Sequence, residues 1–248
     1  MTLFHPSRFL KNWFTNLYGS AAALNEKNIR RALSQGARQR DTLVDLGCGD
    51  GVALARVTEG LEYKHIFGIE RDGEAAEAAR RFLSDVIVAS VDATIPLPDS
   101  FADAIVSNQV IEHLNDTDTF MEEVFRILRP GGELVLSSEN LASWHNIFAL
   151  FLGFQAFSCT NYSRVRCPIG NPLSIHIETP FPGDGMTHRR VFTTRALREL
   201  VEAHGFEILG VFGAGYHPFP AALGNFDTAH AYFMMIHARK PRLATEQS

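Results

Sequence analysis

The sequence predicts an α/β chain built on a doubly wound sheet, and three observations carry that reading. A short β-type run, Leu43 to Leu46, breaks at a glycine turn, Gly47-Cys48-Gly49-Asp50-Gly51. An apolar-periodic segment through Val52, Leu54, Ala55, Val57 and Leu61 follows. A second strand, His65 to Ile69, then ends in the acid Glu70. Strand, glycine turn, helix, strand and acid open a nucleotide-binding domain. The glycines let backbone approach a ligand closely, and a carboxylate at the second strand tip can accept two hydrogen bonds from a ribose diol.

The remaining elements follow from periodicity and punctuation. Pro6 to Tyr18 forms an amphipathic helix with Phe9, Leu10, Trp13, Phe14 and Leu17 on one face, and Asn25 to Ala37 forms a second, with Gly36 near its C-cap. These N-terminal helices (residues 1–40) either pack on the domain edge or serve as a lid. A helix from Gly73 to Leu83 leads to a third strand, Val86 to Val91, which ends in Asp92-Ala93. Phe101 to Asn108 is the fourth strand. The next helix is capped by Asp116 and presents Phe120, Val124, Ile127 and Leu128 at helical spacing. Pro130-Gly131-Gly132 stops it before a fifth strand, Glu133 to Ser138. A helix from Thr193 to His204 and strands from Phe206 to Phe212 and Ala229 to Ala238 complete the chain.

Residues 140–190 stand apart, because some fifty residues separate the fifth strand from the next helix. Long insertions of this kind are usually lids or binding loops. Leu141 to Phe157, with Trp144, Ile147, Phe148, Leu150, Phe151, Leu152, Phe154 and Phe157, predicts a helix, and the remainder reads as irregular. The insertion leaves from a C-terminal strand end, where ligands bind in open α/β sheets, so it is assigned to substrate. The competing reading is an apolar flap that completes the core or a dimer contact.

Composition narrows the partners. The chain has 248 residues, 46% hydrophobic and 21% charged, with a formal net charge of −5, ordinary values for one large globular domain. Dispersed basic pairs, Arg189-Arg190 and Arg239-Lys240, give no nucleic-acid track. Three cysteines without a C-x-x-C pair predict reduced packing thiols. The first residues carry no apolar leader and no run spans a bilayer, so a cytoplasmic monomer or homodimer without integral membrane association is expected.

The glycine turn then narrows the ligand. Its spacing is G-x-G-x-G rather than the dinucleotide G-x-G-x-x-G, with Asp45 two residues before it and Asp50 inside it. Two carboxylates would repel a pyrophosphate but suit an ammonium and a sulfonium, both of which S-adenosylmethionine carries. This disfavours an NAD-dependent oxidoreductase.

VDLGCGDG at Val44 to Gly51 resembles the first motif of the class I S-adenosylmethionine-dependent methyltransferases. FGIERD (Phe67 to Asp72), VDA (Val91 to Ala93), PDSFADAIVSNQVIEHL (Pro98 to Leu114) and RILRPGGELVLS (Arg126 to Ser137) are similar to that family's later motifs, in its order. The resemblance implies a Rossmann-like, seven-stranded, mostly parallel sheet with the last strand antiparallel. It divides one domain into a cofactor-binding core (41–139), a substrate-cap insertion (140–190) and the last part of the sheet (191–248). It implies cofactor contacts from Asp45, Gly47, Gly49, Gly51, Glu70, Arg71, Asp92, Ala93 and Asn108, with Asp92 receiving the adenine amine.

Methyl transfer to oxygen needs an acceptor held in line and relieved of its proton. His113, with Glu112 beside it, follows the fourth strand and is the catalytic candidate, against a structural role in capping the next helix. Trp144, His145, His188 and Arg189 are the substrate candidates. His176, Glu178 and His188 have metal-ligand chemistry, but H-x-E spacing in an irregular stretch is common, and no metal is expected. The predicted activity is methylation of a small molecule, most simply at an oxygen of an aromatic, saccharide or lipid-linked acceptor. A non-catalytic cofactor-binding sensor or scaffold is the alternative.

Overall fold

β1 (Thr42–Leu46) is buried at every position and lies near the middle of one seven-stranded sheet. The computed structural model describes residues 8–36, 41–161, 163, 167–174 and 187–242, with side chains from residue 16 onward. β2 (His65–Glu70) and β4 (Ala102–Asn108) flank β1, both parallel to it. β3 (Asp85–Val88) extends the sheet beyond β2, and β5 (Leu128–Glu139) beyond β4. β7 (Phe233–Arg239) runs antiparallel to both β5 and β6 (Glu207–Ala214), closing the order β3-β2-β1-β4-β5-β7-β6. The sequence of strands reverses direction between β1 and β4, and a crevice opens there beyond the strand ends.

Each face of the sheet is covered, as a buried parallel sheet requires. On one face Val44, Leu46, Ile69 and Ile105 pack against Phe120 and Val124 of α4 (Thr117–Ile127) and Leu197 and Val201 of α6 (Thr194–Ala203). On the other, Leu43, Val106 and Met235 meet Ile29 and Leu33 of α1 (Arg8–Gln35), Leu54 of α2 (Val52–Thr58) and Ala76 of α3 (Gly73–Ala79). Asp116 caps α4 by accepting from the Asp118 and Thr119 N–H groups, both at 3.1 Å, and Thr193 caps α6.

Several boundaries differ from expectation; β3 ends at Val88 rather than Val91, and β7 begins at Phe233 rather than Ala229. The two N-terminal helices are one, α1: Gly19 weakens a helix, but the Ala21-Ala22-Ala23-Leu24 run restores propensity and Ala21 packs beneath Ala214 and Phe233. α3 stops at Ala79, and the next residues turn. Pro130-Gly131-Gly132 lies inside β5, where the Gly131 N–H donates to the Lys240 oxygen and Gly132 accepts from the Lys240 N–H. The inserted helix, α5 (Trp144–Phe151), is half the predicted length, because Gly153 turns at φ +78°.

Asn140 ties the insertion to the sheet. It is fully buried, and its amide donates to the Ala229 and Ala231 carbonyls at 2.8 and 2.9 Å. Such a placement fixes where α5 starts relative to the strand ends. Among the described residues no helix is long and apolar enough to cross a membrane. Phe120 is fully buried against both sheet and α6, so Phe120→Ala should lower stability by about 3–5 kcal/mol in urea denaturation; a loss below about 1 kcal/mol would contradict this packing.

Candidate functional site

The glycine turn after β1 is held from β2. The Gly47 and Cys48 N–H groups donate to the Ile69 oxygen at 2.8 and 3.2 Å. Glu70 then reaches across: its Oε2 accepts from the Gly49 N–H and its Oε1 from the Asp72 N–H, both at 2.9 Å. Gly47, Gly49 and Gly51 all lie at positive φ (84°, 53° and 77°), a conformation that disfavours any side chain. At Gly47 a Cβ would also come within 2.5 Å of Val110 Cγ2. At Gly49 a Cβ would meet nothing within 4 Å, so its bare backbone faces open space.

Beyond this turn lies a cleft of about 430 Å³. Gly47, Glu70, Arg71, Asp92, Gln109, His113 and Arg189 are among its lining groups, drawn from the ends of β1, β2, β3 and β4. Asp92 is also employed locally. Its Oδ1 accepts from the Asn115 and Asp116 N–H groups at 2.8 and 3.0 Å, and its Oδ2 meets the Asn115 amide. Each carboxylate oxygen has two acceptor lobes, so the engagement leaves acceptor capacity toward the cleft.

Asp45 sits behind the turn, buried, with Oδ1 lacking any protein partner. Burial, reinforced by the nearby Glu70 charge, pushes its carboxyl up to about 7. A buried orphan carboxylate oxygen beside a second carboxylate is costly alone and favourable once a cation approaches. Asp50, by contrast, is exposed and accepts from the Val52 N–H, which makes it a helix-start residue.

A second group of polar side chains lies where β4 gives way to a 3-10 turn, Ile111–His113. His113 lines the cleft, and its Nδ1 contacts the Thr187 oxygen at 3.1 Å. Burial, with His188 4.8 Å away ring to ring, lowers its pKa to about 4, so the ring is neutral at pH 7. Glu112 lies beneath it, fully buried and outside the cleft wall; Oε2 accepts from Ser138 Oγ at 2.9 Å and Oε1 has no partner. Burial pushes its carboxyl up to about 8. His188 places Nδ1 2.7 Å from the Ser158 oxygen and 3.9 Å from Glu139 Oε2.

The insertion forms a separate apolar pocket of about 610 Å³ against the 216–219 segment. Phe148, Leu152, Phe154, Phe157, Leu173 and Phe219 line it with Trp144, His145 and His217. Trp144 is fixed there by its Nε1 donating to Tyr216 Oη at 2.8 Å and by stacking on His230 at 4.4 Å. Burial lowers the His145 pKa to about 3, and His217 Nε2 is buried without a partner. Contacts link the two cavities. His145 and His217 touch the Tyr232 ring, Tyr232 Oη donates to Glu139 at 3.2 Å, and Glu139 neighbours His188, which packs on His113.

Of the residues predicted from sequence, Gly47, Glu70, Arg71, Asp92 and His113 gather in the cleft, with Gly49, Gly51 and Asp45 in or behind its turn. Ala93 is exposed and does not line the cleft. Asn108 accepts from the Asn25 amide of α1 at 3.0 Å, away from the cleft wall. Arg189, predicted as a substrate contact, lines the cleft with His113, while His188 joins Glu112 and His113. His176, Glu178 and the aromatic side chains of Phe9 to Phe14 lie outside the described residues. Gln109, Tyr232, Glu139 and His217 escaped the sequence reading. Gln109 carried a signal, since the end of β4 faces the crevice; its φ is +59° and its amide donates to Ser137 Oγ.

A doubly wound α/β domain with an acid-flanked glycine turn at its switch point is the class these features define. Residues 44–136 match the family described as "Methyltransferase domain". A protein of Mycolicibacterium smegmatis, described as a probable S-adenosylmethionine-dependent methyltransferase, is 29% identical over 79% of this chain and 65% of its own length. Trans-aconitate 2-methyltransferase of Azoarcus is 35% identical over 38% of each chain. The chain thus spans less than two thirds of either relative. The crystal structure of a Listeria monocytogenes protein described as a "putative S-adenosylmethionine dependent methyltransferase" shares the fold, with a TM-score of 0.59 at 18% identity over 90% of this chain and 100% of that one. These comparisons support a class I S-adenosylmethionine-dependent methyltransferase family for this chain, with S-adenosylmethionine as the cofactor they imply.

Asp45 also yields a pH test. Its folded pKa is raised above the unfolded value, so its contribution to stability is greatest below about pH 4 and is lost as pH rises through about 7. Asp45→Asn removes that loss. Relative to the parent, it should gain on the order of 2–3 kcal/mol between pH 5 and pH 8 in urea denaturation; a difference independent of pH would contradict the burial of an ionising Asp45.

Proposed function

We propose that this chain transfers the methyl group of S-adenosylmethionine to an oxygen of a small molecule with an apolar body. The observation that carries this reading is the pairing of two cavities. One is an acid-framed cleft beyond β1 and β2; the other is an apolar pocket built from the insertion, joined to it through His113, His188, Glu139 and Tyr232. The trans-aconitate enzyme among its relatives supports a small acceptor, while the pocket favours a greasier one than an organic acid.

In this reading the chain's residues divide the work. Glu70, already accepting from two backbone N–H groups, turns its remaining acceptor lobes to the ribose hydroxyls. The bare Gly49 backbone admits close approach, and Asp45 supplies negative charge behind the turn for the donor's ammonium and sulfonium. Bound, the cofactor supplies an electrophilic methyl group. The residues around it then hold the acceptor in line and exclude water. Phe148, Phe154, Phe157 and Phe219 bury the apolar body, and the unpartnered His217 Nε2 meets a polar atom on it. His113 is the acceptor-facing group of the cleft wall. A ring whose Nδ1 donates to a carbonyl presents a lone pair at Nε2 to the acceptor oxygen.

Two measurements test the assignment. Glu70→Ala should weaken S-adenosylmethionine binding by about 1–3 kcal/mol in calorimetry, because charge-assisted hydrogen bonds to the sugar are lost; an unchanged dissociation constant removes Glu70 from the site. Incubated with cofactor labelled at the methyl group and a cell metabolite extract, the protein should place label in an organic-extractable product. His113→Ala should cut that incorporation by ~10²-fold or more while sparing cofactor affinity. Cofactor binding without label transfer to any fraction would favour a sensor or scaffold over an enzyme.

A further inference from the structure

We propose that Glu112, His113 and His188 form a binding site for one divalent transition-metal cation of the Zn²⁺ or Mn²⁺ type. Among the described residues, these three bring one ligand atom each within 4.8 Å of one another. They come from two separate parts of the chain, the turn after β4 and the end of the insertion. The site does not depend on methyl transfer and can be examined without the cofactor.

The hydrogen bonding around the three side chains prepares them as ligands. His113 Nδ1 and His188 Nδ1 each face a backbone carbonyl, of Thr187 and Ser158, at 3.1 and 2.7 Å. A carbonyl only accepts, so each Nδ1 carries the hydrogen and Nε2 is left as the nitrogen that can offer a metal its lone pair. An outer hydrogen bond of this kind orients metal-bound histidines. Glu112 is arranged in the same way. Ser138 Oγ holds Oε2 at 2.9 Å, and Oε1 is buried with no protein partner. An orphan carboxylate oxygen in a site 1% exposed is a sizeable desolvation cost, which a bound cation would offset.

The donor set selects the ion. Two imidazoles and one carboxylate suit Zn²⁺, Mn²⁺ or Fe²⁺, whereas Mg²⁺ and Ca²⁺ prefer all-oxygen shells. Bonds of about 2.0–2.1 Å place tetrahedral donors roughly 3.3 Å apart, so the three atoms need converge by no more than about 1.5 Å, a side-chain adjustment. Three protein ligands leave a fourth position open, as in catalytic rather than structural zinc sites. Of the three ligands His113 also lines the cleft, so a bound ion would occupy the Nε2 lone pair that otherwise faces the acceptor.

The experiment is a titration of the chelator-stripped, full-length protein with Co²⁺, which reports its ligands by colour. One equivalent should bind, raise Tm, and give a visible ligand-field spectrum without the sulfur charge-transfer band that Cys48, Cys159 or Cys167 would produce. Outer hydrogen bonds to a ligand are worth roughly 10–100-fold in affinity, so Glu112→Gln and His188→Ala should each cost about 100-fold or more. His65→Ala, an exposed histidine on β2, should change nothing. Far-UV circular dichroism establishes that each variant is folded before titration, and Glu112→Asp, which keeps the carboxylate, should retain part of the affinity. Absence of stoichiometric binding to the parent, a sulfur-ligated spectrum, or affinity unchanged in both Glu112→Gln and His188→Ala would overturn the proposal.

Discussion

The hold of the β2 tip on the turn after β1 is the interaction on which the site depends. Two backbone hydrogen bonds donated to the Ile69 oxygen and one donated to the Glu70 carboxylate fix a segment in which every second residue has positive φ. A turn of that shape requires glycine, since a Cβ at Gly47 would strike Val110 and one at Gly51 would press on Ala79. Burial raises the Asp45 pKa, and the same contact brings Glu70 close enough to add to that rise. Rigidity and electrostatic frustration therefore arise from one arrangement. Local strain held by a well-packed sheet is a familiar feature of ligand sites.

The inserted segment builds a different environment. Its aromatic side chains turn inward around an apolar pocket, while Phe151 (84% exposed) and Phe148 (65% exposed) also meet solvent. Between that pocket and the cleft stands a partition of ionisable groups: Glu112, His113, His188, Glu139 and Tyr232. A buried acid grouped with two histidines and a second carboxylate is expensive to assemble, and packing alone would not require it. They come together because Asn140 pins the start of the insertion to β7-side backbone, and because the Arg189 and Arg190 N–H groups return to the Glu112 oxygen at its end.

Much of the cofactor side was legible in the sequence, for local reasons. Leu43 to Leu46, the glycines, and Glu70 lie within thirty residues, and each follows from short-range rules of strand, turn and strand tip. Asp116 was legible as a cap for the same reason, and so was Thr193 to His204 as a helix. The single long α1 was not, because it reads as two amphipathic stretches, and the packing of Ala21 with Ala214 and Phe233 between them is tertiary. The grouping of Glu112 with His188 was not legible either. Seventy-six residues separate them, and no periodicity connects a turn after β4 to the far end of an irregular insertion.

The central claim is spatial: a cationic adenosyl donor lies against the glycine turn, its sugar on Glu70 and its charge toward Asp45. A crystal structure of the protein soaked with S-adenosylmethionine tests this most directly. The account predicts ribose hydroxyls within hydrogen-bond distance of Glu70, the methionine end over Gly47 and Gly49, and the methyl group directed to His113. A donor bound elsewhere, or bound in this cleft with its ribose turned away from Glu70, would contradict it.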